Sequence, residues 1–530
     1  MPRSEPHAIQ NPVISHPKQS KHMDTNGTLT SPGLTRQETV LLLSAAVLFL
    51  VACVSVALTR PPWCDEAWFG SAGFNLATHG KLITPIIAPA PDDPKTIGLG
   101  QHTYWVMPLH LVFQAGWYKV CGFSLFTLRS VSIIWGLVAL WAWFLIMRAL
   151  TGDVPIAVLT VCLLATDFVF IMQGADGRMD MMAAALGYAA IAAYLVLRER
   201  SLNLAVFCAH SLVVLSGLTH PNGGLLSLAG VLFLMFYYDG QSLRWRHAMF
   251  AAVPYFVGLA GWSLYLAEDP KLFLTQFRGN ASGRLNDIRR PWIEVRNEIV
   301  ERYLAAFGFQ PGAPAIAKIK VLLLVSYLAG FVGTSSVAAL RRMRGIRALL
   351  TLAAINWLYL TLQSVKHPAY LVYSIPFFAA FLAIWILWCW RQPALPSAVV
   401  ALALAAFIAL QLAAVANVVV HDKYRRTYLP TVAFLKAHAG PQDLVVGEPE
   451  MGFALGFDSD LLDDSRLGYY SHVNPSFIVV GENYRGAFKR FQQESPETYQ
   501  YISTLLKTKY RPVFQNDAYT IFAPQGQAER

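Results

Sequence analysis

The sequence predicts an α-helical polytopic membrane protein with about eleven transmembrane helices, juxtamembrane helices on the outer surface and a small C-terminal extracytoplasmic α/β domain. The first observation is the composition: 55% of the 530 residues are hydrophobic and 14% are charged. Soluble proteins contain about 25% charged residues, so these few charges cannot cover a soluble surface. The formal charge of +10 fits the Lys and Arg that orient membrane proteins, and no interleaved basic and aromatic patch indicates nucleic-acid binding.

The second observation is a series of apolar runs, each close to the roughly 17–25 residues that cross a bilayer. The first run, 39–58, is too long for the core of a signal peptide, so we expect a retained helix. Residues 1–37 are polar and rich in Ser, Thr, Pro and His, which predicts a disordered cytoplasmic tail. The further predicted spans are 128–147, 154–172, 181–197, 203–219, 223–238, 248–266, 319–339, 348–364, 369–389 and 397–419.

The third observation is the charge of the short loops, which sets the orientation of membrane proteins. With the N-terminus in the cytoplasm, the short outer loops at 173–180, 220–222 and 365–368 contain only Arg178 and Lys366 as basic residues. The inner loops contain Arg148, Arg198, Arg200, Arg244, Arg246, Arg341, Arg342, Arg344, Arg347 and Arg391. This topology requires that the apolar segment 103–121, which is interrupted by Pro108, lies along the membrane surface instead of spanning it.

Three outer regions follow from this topology. They are a first loop at 60–127, a basic second loop at 267–318 and a C-terminal domain at 421–530, all attached to a transmembrane domain at 38–420. In the C-terminal region, β-rich runs at 444–446 and 477–480 alternate with helical stretches, which predicts a small α/β domain. Cys64 and Cys121 both lie in the first loop, and the sequence leaves open whether they form a disulfide.

The first loop opens with the segment PPWCDEAWFGSAGFNLATHGKL. Its two prolines end the first span, and Asp65 and Glu66 then stand in the first turn of a new helix. Phe69, Ala72 and Leu76 recur at helical spacing, so we expect this helix to lie flat on the bilayer. The helix dipole favours an ionised carboxylate at this position, which could accept a hydroxyl proton or hold a cation. Alternatively, the two acids only cap the helix.

A second acidic motif, GADGRMD, contains Asp176 and Arg178 and ends at Asp180, directly before an apolar helix. An acidic residue at the hydrocarbon boundary is costly and indicates a function, although Asp is also a common N-cap. Because both acidic motifs belong to the same side of the membrane, a functional site is favoured over coincidence.

Further polar residues end helices on that side. One set comprises His220 in LTHPNGG, and Lys366, His367 and Tyr370 in SVKHPAY. A phosphate group at this surface would need cations to stabilise its charge. The candidate cations are Lys366 and the basic-loop residues Arg284, Arg289 and Arg290. Alternatively, the lysine and the histidines anchor their helices at the interface, and the arginines meet anionic lipid headgroups.

The Asp-Glu pair after the first span, the DEAWFGSAGFNLATHGKL segment and the acidic loop ending in Asp180 together resemble the GT-C glycosyltransferases. The branch that they resemble contains protein O-mannosyltransferases, bacterial lipid A aminoarabinose transferase and related lipopolysaccharide sugar transferases. The resemblance covers mainly residues 38–240, and the eleven-span topology extends it loosely to residue 419. The first-loop segment is its most specific part.

The resemblance implies a glycosyltransferase that takes its sugar from a polyprenyl-phosphate carrier and inverts the anomeric carbon. Asp65, with Glu66 beside it, is similar to the family's proposed catalytic base, and Asp180 is similar to a residue that assists the base or holds the acceptor. Some GT-C enzymes need a divalent metal ion, and here Mg²⁺ or Mn²⁺ would be bound by Asp65 and Asp180. The sequence lacks the Glu-Lys-Pro element of the aminoarabinose transferases, and neither Lys95 nor Lys119 is an evident substitute.

These observations together predict transfer of a hexosyl or pentosyl group on the periplasmic face of a bacterial inner membrane. The acceptor hydroxyl would belong to an envelope glycolipid, a polysaccharide or a protein. One alternative is a transporter or flippase for a lipid-linked or anionic solute, and another is an inactive relative that serves as a scaffold. Transporters place their acids near the bilayer midplane, beside broken helices, whereas Asp65, Glu66 and Asp180 all fall at one surface, which favours the enzyme.

Overall fold

The membrane domain follows the predicted order of helices. The computed structural model of the protein describes residues 33–282, 284, 290–458 and 460–526. Up to the last span, its α-helices are α1 (Arg36–Thr59), α2 (Cys64–His79), α3 (Pro108–Cys121), α4 (Leu125–Thr151), α5 (Val154–Thr166), α6 (Phe168–Gly174), α7 (Asp180–Leu197), α8 (Leu202–Thr219), α9 (Pro221–Asp239), α10 (Trp245–Leu266), α11 (Pro270–Ala281), α12 (Pro291–Asn297), α13 (Val321–Ser336), α14 (Ala338–Arg341), α15 (Arg344–Leu362), α16 (Ile375–Trp390) and α17 (Ser397–His421). A π-helical segment, Glu298–Phe309, continues α12, and the 3₁₀ segment Pro368–Tyr373 precedes α16.

Every predicted span corresponds to an apolar helix. Within the described residues, nine helices are long and apolar enough to cross a bilayer. The predicted span at 154–172 is a bent pair formed by α5 and α6, and the span at 369–389 is the shorter apolar helix α16. Neither α2 nor α3 is among the spans, in agreement with the prediction of surface helices in the first loop. Of the predicted tail, residues 1–32 lie outside the described part of the chain.

The bend between α5 and α6 has a clear polar cause. The two helices meet at an angle of 67°, and the fully buried Asp167 stands at the break. Its Oδ1 accepts a hydrogen bond of 2.7 Å from the backbone N–H of Phe170 and so caps α6. Its Oδ2 accepts hydrogen bonds from Tyr327 Oη at 2.7 Å and from Gln411 Nε2 at 2.8 Å. The carboxylate therefore satisfies a broken helix end and connects it to α13 and α17.

The helix α2 begins after the two prolines with both acids in its first turn, as predicted. Its apolar face is covered in part by protein: Phe69 and Ala72 are buried in a cluster that includes Met179 from the second acidic motif. The expectation that this face lies on the bilayer is therefore wrong for these two residues, because the neighbouring loops pack over them. Cys64 at the start of α2 and Cys121 at the end of α3 are free thiols.

The C-terminal domain is a small α/β unit, as predicted. Its elements are the helices α18 (Leu429–His438), α19 (Gly452–Leu455), α20 (Glu482–Glu494) and α21 (Pro496–Thr508), and the strands β1 (Val445–Gly447), β2 (Leu461–Leu462), β3 (Phe477–Val480), β4 (Tyr510–Gln515) and β5 (Thr520–Pro524). The strand order is β2-β1-β3-β5-β4. The strand β1 is parallel to β2 and β3, whereas β5 is antiparallel to β3 and β4.

The first loop docks on this domain directly after β2. The backbone N–H of Ala88 donates to the carbonyl of Asp463 at 3.1 Å, and the N–H of Asp463 donates to the carbonyl of Ile86 at 2.6 Å. In addition, Trp68 Nε1 in α2 donates to Asp463 Oδ2 at 2.8 Å. The C-terminal domain thus lies against the same loop that contains the first acidic motif.

Candidate active site

The two acidic motifs meet through one arginine. The guanidinium of Arg178 donates from Nη1 to Asp65 Oδ2 and from Nε to Asp180 Oδ2, the latter at 2.7 Å. Burial disfavours the charged form of this guanidinium, but Asp180 beside it holds the pKa of Arg178 above its ordinary value. The sequence-predicted residues Asp65, Arg178 and Asp180 therefore form a single carboxylate–guanidinium–carboxylate group, which we call the acidic triad.

The members of the acidic triad differ in exposure. The Asp65 side chain is 20% exposed, whereas that of Asp180 is 1% exposed. Asp65 and Arg178 line a cavity of about 420 Å³, which we call the active cavity. Its other polar lining residues include Lys95, His220, Asn280, Arg284, His367 and Tyr370. Asp65 is thus the triad carboxylate that a ligand in the active cavity can reach.

Glu66, the neighbour of Asp65, faces the protein interior. Its two carboxylate oxygens each accept a hydrogen bond of 2.7 Å from the guanidinium of Arg129. Its Oε1 also accepts from the backbone N–H of Gly177 at 2.8 Å, and Arg60 lies 3.4 Å away. Burial alone would raise the pKa of Glu66, but Arg129 and Arg60 together bring it below its ordinary value. Glu66 therefore fastens α2 to α4 and to the second acidic loop.

Asp176 also has an interior position. Its Oδ1 accepts a hydrogen bond from Trp63 Nε1 at 3.3 Å, and its Oδ2 lies 3.1 Å from Arg60. Burial raises the pKa of Asp176 to about 6, although Arg60 opposes this shift. Asp176 does not belong to the lining of the active cavity.

Both predicted histidines line the active cavity and are neutral. Burial lowers the pKa of His220 and the pKa of His367 to about 4. The His367 ring stacks on Trp63 with 5.6 Å between centroids, and the His220 ring lies 5.8 Å from the ring of Tyr370. At neutral pH these imidazoles contribute hydrogen-bonding groups and no positive charge.

Lys366 does not line the active cavity, although its chain neighbours Val365 and His367 do. Its Nζ lies 3.3 Å from Glu298 Oε2 and 3.7 Å from Glu294 Oε2, and it donates to the carbonyl of Thr361 at 2.6 Å. Burial lowers the pKa of Lys366, and the attraction of Glu298 opposes that shift. This lysine therefore neutralises a buried acid of the segment that follows α12.

The basic loop contributes one of the predicted arginines to the active cavity. Arg284 lines it, with Nε donating to the carbonyl of Asn280 at 2.8 Å. Arg290 is exposed before α12 and is not part of the lining, and Arg289 lies outside the described residues.

Lys95 is a cavity residue that sequence reasoning did not select. It lines the active cavity together with Arg284, and its Nζ lies 3.2 Å from Asp93. The first loop is held there by α11: Gln276 Nε2 donates to the carbonyl of Ile97 at 2.8 Å. The position of Lys95 at the cavity depends on contacts between loops that are distant in sequence. From the sequence, only the positive charge of Lys95 could have indicated this position.

No protein-family model and no curated protein matches this sequence. Solved structures are nevertheless similar in fold. ArnT from Cupriavidus metallidurans, bound to undecaprenyl phosphate, superposes with a TM-score of 0.59 at 13% identity, over 93% of this chain and 99% of ArnT. The chain has the GT-C fold. The predicted architecture of spans, surface helices and a small C-terminal domain is thereby confirmed.

Two further structures share the GT-C fold, with slightly lower TM-scores. The oligosaccharyltransferase AglB from Archaeoglobus fulgidus, in complex with an inhibitory peptide and a dolichol-phosphate, has a TM-score of 0.55 at 13% identity, over 90% of this chain and 69% of AglB. The mycobacterial arabinofuranosyltransferase AftD has a TM-score of 0.51 at 13% identity, over 94% of this chain and 40% of AftD. At these identities the similarity establishes the fold alone.

The GT-C fold raises the question of a divalent metal ion, because another structure of the archaeal oligosaccharyltransferase is a complex with Zn and sulfate. Here Arg178 binds one oxygen of Asp65 and one of Asp180. Among the residues that the structure describes, no three or more His, Cys, Asp or Glu side chains are grouped so that they could hold a metal ion. The donor set therefore does not fit Mg²⁺ or Mn²⁺ between these two carboxylates, and the cation that joins them is a guanidinium.

Proposed function

We propose that this protein is a glycosyltransferase that moves a sugar from a polyprenyl-phosphate carrier to an acceptor hydroxyl, with Asp65 as the general base. The observation that carries the proposal is the acidic triad at the wall of a cavity that is also lined by Lys95 and Arg284. This arrangement combines a reachable carboxylate with two cations, which are the groups that such a transfer requires.

The base is held in its reactive form by the triad. Arg178 favours the ionised state of Asp65, and Asp180 orients Arg178 from the buried side. Oδ2 of Asp65 is taken by the guanidinium, whereas Oδ1 has the weak thiol donor of Cys64 at 3.7 Å. Oδ1 is therefore the atom that we assign to the acceptor hydroxyl.

The transfer is a single in-line displacement. The acceptor oxygen forms a bond to the anomeric carbon as the bond from that carbon to the phosphate oxygen breaks, and the phosphate leaves with the electron pair. The hydroxyl proton passes to Asp65 Oδ1 late in the step, since an alcohol is a far weaker acid than a carboxylic acid. Attack from the face opposite the leaving group inverts the anomeric configuration.

Lys95 and Arg284 are the cations that we assign to the leaving phosphate. The histidines of the active cavity are neutral at physiological pH because burial lowers the pKa of each to about 4. Lys366 is buried beside Glu298 and does not line the active cavity, whereas Lys95 lines it and has only a partly exposed contact with Asp93. This assignment replaces the predicted role of Lys366, while Arg284 keeps the role expected from the sequence.

The carrier's lipid tail has a suitable place beside the active cavity. An apolar groove of about 1130 Å³ is lined by residues of α3, α8 and α10. Its residue Pro108 is the neighbour in sequence of Met107, which lines the active cavity. Val253 and Val257 in this groove are 47% and 69% exposed, as expected of side chains that meet lipid.

The loop charges support an orientation with the N-terminus in the cytoplasm and the active cavity on the periplasmic face. A transporter would be expected to have an acidic residue available to its solute beside a broken helix. The broken span of this protein does not offer one. Asp167 stands at such a break, but both of its oxygens accept hydrogen bonds from the protein, so it offers a solute no unoccupied carboxylate.

The test compares wild-type protein in lipid nanodiscs with Asp65→Asn and with the control Asp458→Asn, whose side chain is 58% exposed beside His79. Each protein is incubated with a panel of radiolabelled polyprenyl-phosphate sugars and an envelope extract as the acceptor source. Wild type and Asp458→Asn should transfer label at similar rates. Asp65→Asn should fold normally and lose about 10²–10⁴-fold in rate, which is the range of general-base assistance.

A parallel measurement in vesicles separates the enzyme from the transporter. If no sugar leaves any carrier, while wild type and Asp65→Asn change the sidedness of the lipid-linked substrate equally well, the transferase proposal is wrong. If transfer occurs and Asp65→Asn retains the full rate, the enzyme stands and the assignment of its base fails.

A further inference from the structure

A second cavity lies between the first loop and the C-terminal domain. It has a volume of about 600 Å³, within the range of about 300–1,000 Å³ typical of small-molecule sites. We call it the interdomain cleft. One wall is formed by first-loop residues that include Trp68, Lys95 and Trp105, and the other by residues of the C-terminal domain that include Asp464, Ser465 and Glu482.

The interdomain cleft adjoins the active cavity. Trp68, Lys95 and Trp105 line both, so these side chains form a shared wall. In the chain, Cys64 lines the cleft and its neighbour Asp65 lines the active cavity. A ligand in the cleft can therefore present a group toward Asp65 past the shared wall.

The chemistry of the cleft is that of aromatic rings beside polar groups. Trp68 and Trp105 are in edge-to-face contact with 5.9 Å between ring centroids. Trp105 is nine-tenths buried, and its Nε1 has no hydrogen-bond partner within the described residues. On the facing wall, Glu482 and Asn483 are exposed at the start of α20. An indole offers an apolar face and one donor, while carboxylates and amides bind hydroxyl groups.

We propose that the interdomain cleft is the acceptor site and that the acceptor is a saccharide. A pyranose or furanose ring has an apolar face that can pack on an indole and a rim of hydroxyls that both donate and accept hydrogen bonds. The role of the saccharide as an acceptor rests on the proposed glycosyl transfer. The binding of a saccharide in the cleft can be tested without a donor.

An extended peptide fits the cleft less well. Peptides commonly bind by adding a strand to a free sheet edge. The sheet edge next to the cleft is β2. Directly after β2, the first loop already forms two backbone hydrogen bonds with Asp463, through Ala88 and Ile86. The remaining surface offers rings and side-chain polar groups, which suit a saccharide.

Gly486 gives a way to fill the cleft without disturbing the fold. It lies in α20, lines the cleft and has no atom within 4 Å of the position of an added Cβ. Gly486→Trp should place an indole in the cleft, while Gly486→Ala removes a glycine from a helix and leaves the cleft open. Gly116→Trp is the matched control, since Gly116 also has open space around it, lies in a helix and lines neither cavity.

The experiment uses the full chain in nanodiscs without donor. The probes are methyl glycosides and disaccharides of common hexoses and pentoses, followed by saturation-transfer NMR, with sorbitol and a neutral hydrophilic peptide for comparison. We expect at least one disaccharide to bind wild type, Gly486→Ala and Gly116→Trp. Its affinity should fall about tenfold or more in Gly486→Trp, which corresponds to roughly 1.4 kcal/mol, although the thermal unfolding midpoints stay similar.

The outcomes separate this inference from the proposed function. Equal saccharide binding by Gly486→Trp, or binding of the peptide and of no saccharide, overturns the inference. If transfer by Gly486→Trp shows an unchanged acceptor KM, the cleft is not the acceptor site even though the enzyme stands. If a disaccharide binds in the cleft but no donor sugar is ever transferred, the proposed function fails and the saccharide site remains.

Discussion

Two adjacent acids, Asp65 and Glu66, have opposite surroundings in the first turn of α2. Successive helical residues point about 100° apart, so one carboxylate faces the active cavity and the other faces α4. Asp65 is partly exposed beside Arg178, whereas Glu66 is fully buried against Arg129. At the scale of single residues, the chain therefore separates a chemical role from a structural role within one dipeptide.

The structural role of Glu66 gives a first prediction. Glu66→Gln removes the charge that balances the buried Arg129, and breaking a buried ion pair from one side costs about 3–5 kcal/mol. We expect a markedly lower thermal unfolding midpoint for Glu66→Gln, measured by intrinsic fluorescence in detergent. Asp65→Asn should keep a midpoint near that of wild type. If both variants are equally stable, Glu66 does not fasten α2 as described.

A second prediction concerns the cation from the first loop. Lys95→Met removes a charge-assisted contact to phosphate, which is worth about 1.5–3 kcal/mol, so the KM for the carrier-linked sugar should rise about tenfold or more. Lys119→Met is the matched control, because Lys119 is an exposed lysine of the same loop that does not line the active cavity. Steady-state transfer kinetics would measure both. An equal KM for the two variants would show that Lys95 does not bind the donor phosphate.

At the scale of elements, the broken span shows how a polar residue sets helix geometry inside an apolar domain. The hydropathy of 154–172 predicts one span because only Asp167 interrupts it. Its carboxylate caps α6 and accepts hydrogen bonds from α13 and α17. The second acidic motif begins at Gly174, which is the last residue of α6. The hydrogen bonds of Asp167 therefore hold the start of the helix that leads into this motif.

This network gives a third prediction. Asp167→Ala loses an N-cap and leaves two buried donors without their acceptor, which together should cost about 2–4 kcal/mol of stability. Asp167→Asn should cost less, since its amide oxygen can still cap α6. Ser326→Ala is the control, because among the residues that the structure describes the Ser326 hydroxyl bonds to its own helix alone, at the carbonyl of Leu322. The measurement is the thermal unfolding midpoint, and equal values for Asp167→Ala and Ser326→Ala would contradict the structural role.

At the scale of the whole molecule, local patterns predicted the spans, the surface helices and the triad members, because periodicity, charge and capping are local properties. The partners of Lys366 could not be predicted in this way. Glu298 is remote in sequence and buries the lysine by a tertiary contact. The position of Lys95 at the active cavity could not be predicted for the same reason, because it depends on the contact of its loop with α11. The site's framework can therefore be inferred from the sequence, whereas the cations that complete it depend on how the loops pack.

The contact between the first loop and the C-terminal domain also contains a titrating group. Asp463 accepts hydrogen bonds from Trp68 Nε1 and from Tyr484 Oη at 3.0 Å. Burial raises the pKa of Asp463 to about 7, and the nearby Glu448 adds to the shift. The native state thus favours a protonated Asp463, while the unfolded chain loses that proton near an ordinary pKa of about 3.9.

The sign of the pH dependence follows from these protonation states. Between about pH 4 and pH 7 the native state holds more protons at Asp463 than the unfolded state, so its contribution to stability falls as pH rises through this window and stays level above it. Asp463→Asn, which resembles the protonated acid, should therefore gain stability relative to wild type as the pH increases from 4.5 to 8. Thermal unfolding midpoints of both proteins across this range would measure the effect. A difference between them that does not change with pH would mean that Asp463 is already ionised in the folded protein and that this domain contact does not weaken by its titration.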